Sequence, residues 1–88
     1  MDRLRIDLNI SAESLRLWYE GRVTTVVASD IMGKTVHFPV RILRSFISHD
    51  GVQGQFELDV SRTGQLLDIR KISTQVRQGA GDARLTSV

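Results

Sequence analysis

The stretch Val52–Ile72, VQGQFELDVSRTGQLLDIRKI, constrains the fold more than any other part of the chain. From Val52 to Val60 apolar and polar residues alternate. Val52, Gly54, Phe56, Leu58 and Val60 share one side; Gln53, Gln55, Glu57 and Asp59 share the other. A period of two belongs to a strand with one face on a core and one in water. Ser61-Arg62-Thr63-Gly64 has the composition of a tight turn, and Gln65–Ile72 returns as a second strand. Gly54 falls on the inward side, where it contributes no packing. A glycine there marks a bulge, a bend or a close backbone approach, so a strongly curled sheet is expected.

The remaining segments fit around this hairpin. Arg3–Ile10 alternates strictly, with Leu4, Ile6, Leu8 and Ile10 on one face, and predicts another half-buried strand. Ser11 is a preferred helix N-cap, and Ile10 with Leu15 has staple spacing. Leu15, Trp18 and Tyr19 form an apolar stripe, with Trp18 assigned to the core, and Gly21 is a natural stop. The helix is expected over Ala12–Glu20. Arg22–Ser29 is rich in β-branched residues and predicts a strand. Asp30-Ile31-Met32-Gly33 predicts a turn, and Lys34–Val40 the return strand. In Arg41–Ile47 the residues Ile42, Phe46 and Ile47 lie at helical offsets, which predicts one α or 3₁₀ turn plugging the core. From Ser73 onward periodicity is lost, and a disordered tail over 73–88 is expected. The order β-α-β-β-(3₁₀ turn)-β-β predicts an α+β fold: a curled, mainly antiparallel five-stranded sheet with one helix. A small SH3-like barrel, which would remove exposed edges, is the alternative.

Composition narrows the chemistry. Eighty-eight residues make one domain, expected over 1–72, and too little interior for a large ligand cavity. The net charge is only +2, with acids and bases interspersed, unlike the clustered positive charge of a phosphate binder. Without cysteine there are no disulfides, thiolate metal sites or cysteine nucleophiles. The charged N-terminal stretch is not a signal peptide, and no apolar run approaches a membrane span. A cytoplasmic location is expected, with no membrane partner.

Five motifs recur together: Ile6-Asp-Leu-Asn-Ile-Ser11, Trp18-Tyr-Glu-Gly21, Val36-His-Phe-Pro39, Leu43-Arg-Ser-Phe46 and Gly51-Val-Gln-Gly54-Gln-Phe56. In this order and spacing they resemble a family of short, uncharacterised proteobacterial proteins, a domain of unknown function, across about Arg5–Ile72. The resemblance implies a small cytoplasmic α+β protein with no assigned activity. A topoisomerase-like label attached to some members does not suit a chain with one tyrosine and no nucleotide-binding loop.

Few residue groupings carry chemistry. Asp59-x-Ser61-x-x-Gly64 resembles half of the PilZ signature, which in that family serves cyclic di-GMP binding. Its other half is a pair of arginines four apart, whereas Arg41 and Arg44 are three apart. The same residues suit a hairpin turn, and that reading is favoured. Arg41 and Arg44, with Arg62, Arg70 and Lys71, offer a basic patch, but without aromatic residues interleaved in the strands. His37 and His49 have no spacing that builds a metal site. Adjacent Ser48, His49 and Asp50 cannot take triad geometry. Tyr19 could contact a partner. The sequence therefore predicts no catalytic set, metal or cofactor, and a non-enzymatic interaction or regulatory module. A protein partner is expected through a strand edge or the helix. Nucleic acid or a nucleotide is the alternative, and the candidate contacts are Arg41, Arg44, Asp59, Ser61, Gly64 and Tyr19.

Overall fold

A computed structural model of the chain describes residues 2–73 and 81–87. The elements follow the order β1 (Asp2–Ser11), α1 (Ala12–Tyr19), β2 (Thr25–Ser29), β3 (Thr35–Pro39), a 3₁₀ helix (Val40–Phe46), β4 (Gly51–Val60), β5 (Leu66–Ser73) and β6 (Asp82–Thr86). Two three-stranded sheets result, in strand orders β1-β4-β5 and β3-β2-β6, and every ladder is antiparallel. Their inner faces form one core, and the sheets stay open rather than closing into a barrel.

Alternation explains the core. Leu4, Ile6, Leu8 and Ile10 of β1 meet Val52, Phe56, Leu58 and Val60 of β4, with Val26, Ala28, Val36 and Phe38 from the other sheet. Phe46 meets Phe56 edge to face, ring centroids 5.0 Å apart, the arrangement that aromatic quadrupoles favour. The helix begins where Ser11 Oγ accepts from the Ser14 N–H at 3.0 Å. It ends in a Schellman arrangement: the Gly21 N–H donates to Trp18 O, the Arg22 N–H to Leu17 O, and Gly21 sits at φ +76°. Leu15 is buried, Trp18 is half-buried against the core, and Tyr19 is exposed.

Four expectations change. In place of the five-stranded sheet the described residues form six strands in two sheets, which stay open, not the barrel of the alternative. Within the expected tail, Ser73 ends β5 and Asp82–Thr86 forms β6, which pairs with β2 from Ser29↔Asp82 to Thr25↔Thr86. Residues 74–80 and 88 lie outside the described residues. A lone five-residue strand whose partner lies far away in the sequence leaves no local periodicity strong enough to announce it.

The 3₁₀ helix buries Val40 and Leu43 and packs Phe46, while Ile42 is exposed. At three residues per turn, positions three apart eclipse, so 40, 43 and 46 face the core and Ile42 turns away from it. Finally, Gln55 and Asp59, on the side of β4 expected to be wet, are buried, because β4 is the central strand and long side chains from both neighbours cover it.

Gly54 behaves as expected. It adopts φ +136°, and a Cβ there would collide with the Ser73 carbonyl oxygen and the Lys71 side chain. The β4–β5 register shifts beside it, between Gln55 and Phe56. Gly81 was not anticipated. Its N–H donates to Arg5 O at 3.0 Å and its carbonyl accepts from the Asp7 N–H at 2.8 Å, which joins the two sheets at one point.

Candidate interaction surface

The outer face of β1-β4-β5 is a polar lattice written by register. Arg3 lies opposite Asp59, Arg5 opposite Glu57, Asp7 opposite Gln55 and Asn9 opposite Gln53. Opposed side chains in a ladder are near neighbours, and here nearly every pair is chemically matched. Arg3 Nε donates to Asp59 at 3.0 Å, Arg5 to Glu57 at 3.3 Å, and Gln55 to Asp7 at 3.4 Å. From β5, Arg70 reaches across to Asp59 at 3.0 Å and Glu57 at 2.9 Å, and along its own strand to Asp68 at 2.6 Å. One planar guanidinium serves three carboxylates, which an ammonium could not do with the same geometry.

The electrostatics follow. Hydrogen bonds from Arg70 and then Arg3 lower the Asp59 carboxyl to about 2, against the desolvation that would raise it. Glu57 is lowered too, chiefly by Arg70. Arg70 is held above its ordinary value by Asp59, Glu57 and Asp68. Three arginines, Arg3, Arg5 and Arg70, meet Glu57, Asp59 and Asp68, and Asp7 adds a fourth carboxylate, so the face carries no excess of positive charge.

The edge of the same sheet is different. Among the described residues β5 pairs with β4 alone and is the outermost strand of its sheet. Register shifts occur at both ends of its ladder. Val60 faces Leu66 and Asp59 faces Asp68, so Leu67 is an extra residue. Phe56 faces Lys71 and Gln55 faces Ser73, so Ile72 is another. Bulged residues are re-aimed by the local kink, and both are exposed, Leu67 at 56% and Ile72 at 43%. Ile42, at 38% exposed, joins Leu66, Leu67, Asp68 and Ile69 in lining a groove of about 230 Å³ between the 3₁₀ helix and β5.

The residues singled out from the sequence therefore do not assemble into one site. Asp59 is engaged in the lattice with Arg3 and Arg70. Ser61 Oγ accepts from the Gln65 N–H at 3.0 Å, Ser61 O accepts from the Gly64 N–H, and Gly64 sits at φ +87°, the geometry of a hairpin turn. Arg41 and Arg44 are exposed on one side of the 3₁₀ helix, three residues apart, and make no ion pair among the described residues. Arg70 is withdrawn from the basic patch into the lattice. Tyr19 is exposed, its ring 4.9 Å from that of Trp18. His37 and His49 are exposed, and Ser48 Oγ donates to Gly51 O in the turn before β4. Among the described residues no group of three His, Asp or Glu side chains could hold a metal ion, and no helix is long and apolar enough to cross a membrane.

Two features escaped sequence reasoning. The lattice was legible in principle: Arg3-x-Arg5-x-Asp7 against Asp59, Glu57 and Gln55 taken in reverse is an antiparallel match. The edge groove was not, since it depends on bulges and on how the 3₁₀ helix docks.

Fold and surface together define a small α+β domain with an internally paired polar face and, beside it, a strand edge that exposes apolar residues. Residues 2–72 match the model of a family described as protein of unknown function (DUF2835), and the chain belongs to that family. Neither a search of curated proteins nor one of solved structures finds a match.

Proposed function

We propose that this chain is a non-enzymatic protein-interaction module that receives an extended segment of a protein along the outer edge of β5. The observation that carries this reading is the groove of Ile42, Leu66, Leu67, Asp68 and Ile69 beside an edge strand. Strand addition supplies main-chain hydrogen bonds, and a neighbouring pocket takes alternate side chains for specificity. The test uses the immobilised chain, with Leu67→Asp and Ile42→Asp beside it, against extracts of the source cell. Partners recovered by the parent and lost by both variants support the edge. Partners retained by both variants refute it.

A second reading is favoured by one observation. Arg41 and Arg44 share a side of the 3₁₀ helix without an ion-pair partner among the described residues, which suits a nucleic-acid or nucleotide phosphate. Affinity for a single-stranded oligonucleotide should then fall steeply with salt and weaken in Arg41→Ala/Arg44→Ala. A cyclic dinucleotide should raise the unfolding temperature. A flat salt response and an unmoved midpoint would remove this reading.

A further inference from the structure

We infer that the occupant of the β5 edge is a second copy of this chain, paired antiparallel about a two-fold axis at Ile69. The inference rests on the edge reading above and gives it one partner.

Face parity limits the registers open to such a pair. Asp68 and Arg70 of β5 lie on the outer, polar face with Glu57 and Asp59, while Leu66 and Ile69 pack toward the core. Two sheets that join edge to edge must keep their polar faces together, because a slip by one residue exchanges inward and outward side chains. Two-fold axes centred on a residue meet this condition, and the run Asp68-Ile69-Arg70 offers three of them. An axis at Asp68 sets that carboxylate against its own copy. An axis at Arg70 does the same with two guanidinium groups. Like charges directly opposite are destabilising.

Only the axis at Ile69 places Asp68 opposite Arg70 of the second copy, and Arg70 opposite Asp68. Each Asp68 would then sit between two arginines, its own at 2.6 Å and that of the other copy. The polar lattice would run unbroken across the seam.

The apolar residues agree with this register. With Ile69 on the axis, Ile72 of one copy lies opposite Leu66 of the other. Leu66 is in the groove that Leu67 and Ile42 also line. The exposed Ile72 is thus brought to the apolar recess, twice by symmetry, as an isologous interface requires. The bulges confine the regular ladder to Asp68–Lys71. A seam this short makes a small interface, and small interfaces belong to weak, concentration-dependent complexes.

The absence of cysteine from the sequence makes the register directly testable with single thiols. Sedimentation equilibrium of the full chain from about 10 μM to about 1 mM should show a monomer–dimer equilibrium, since that span covers complexes of this strength. Ile72→Asp should raise the dimer dissociation constant by about tenfold or more, because a carboxylate would be desolvated in the groove. Its far-UV circular dichroism should match the parent, since Ile72 is exposed.

Ile69→Cys should oxidise to a covalent dimer, whereas Thr63→Cys, in the distant turn, should not. If Ile69→Cys does not fold, hydrogen exchange of the unmodified chain reads the same edge: β5 amides should gain protection as concentration rises. A dimer that Ile72→Asp leaves intact, or one without β5 protection, overturns the inference. A monomer at every concentration also overturns it. If partner binding is still lost in Leu67→Asp, that last result removes the second copy alone and leaves the interaction module standing. If partner binding is unaffected as well, both fall.

Discussion

Two neighbouring surfaces of one sheet behave in opposite ways. The outer face of β1-β4-β5 is crowded with charge, yet each of its arginines is engaged, from Arg3 with Asp59 to Arg70 with three carboxylates. The outer edge of β5 carries Asp68, Arg70 and Lys71, but its exposed residues also include Leu67 and Ile72, with Ile42 alongside. A count of arginines would direct attention to the first surface. Geometry directs it to the second, because the arginines of the face already lie against carboxylates and leave no excess positive charge, whereas an exposed apolar side chain beside a strand edge has unmet contacts.

The largest effect is expected beneath the lattice. Phe56 lies fully buried under the polar face, and Phe56→Ala should cost about 3–5 kcal/mol in chemical denaturation. A loss near that of an exposed residue would mean that the lattice, not the core, holds the sheet. Gly54→Val is next. Its left-handed backbone and the Ser73 carbonyl leave no room for a side chain, so a loss of about 1–3 kcal/mol is expected, the scale of backbone strain at such positions, together with a disturbed β5 edge in hydrogen exchange.

Acid should separate the two surfaces. The Asp59 carboxyl is lowered to about 2 and Glu57 is lowered as well. A carboxyl with a depressed folded-state value contributes stability above its unfolded value and loses it as pH falls through the folded one. Unfolding midpoints should therefore drop between about pH 4, the ordinary carboxylate value, and about pH 2 for Asp59. Arg70→Ala should flatten that drop and lower the midpoint at neutral pH, and Arg70→Lys should recover only part of it. An acid profile unchanged by Arg70→Ala would show that the lattice is not what titrates.

The smallest stability effect belongs to the edge. Leu67→Ala and Ile42→Ala should stay within about 0.5 kcal/mol of the parent, as exposed substitutions do, while weakening association at β5. A large stability loss would place these residues in the core and sink the edge reading.

Local patterns carried much of this fold. The alternation of Arg3–Ile10 and Val52–Val60 determined which residues line the core, since a strand has no other way to arrange a period of two. Ser11 and Gly21 marked the helix limits because capping is a local interaction of backbone and side chain. Gly54 marked the bend. For the candidate site the sequence named Arg41, Arg44, Asp59, Ser61, Gly64 and Tyr19, and these scatter over a 3₁₀ helix, a strand, a turn and a helix face.

Tertiary structure alone decided the rest, and each case has a long-range cause. Strand β6 exists because β2 offers it a ladder, not because Asp82–Thr86 has strong propensity. Asp59 is buried because Arg3, 56 residues away, and Arg70 both lie over it. Ile42 is exposed because the segment after Pro39 winds with three residues per turn rather than 3.6. Leu67 and Ile72 point outward because β5 carries two more residues than its partner can pair. Propensity and periodicity act between near neighbours, whereas register, bulges and ion pairs are settled only when distant segments meet.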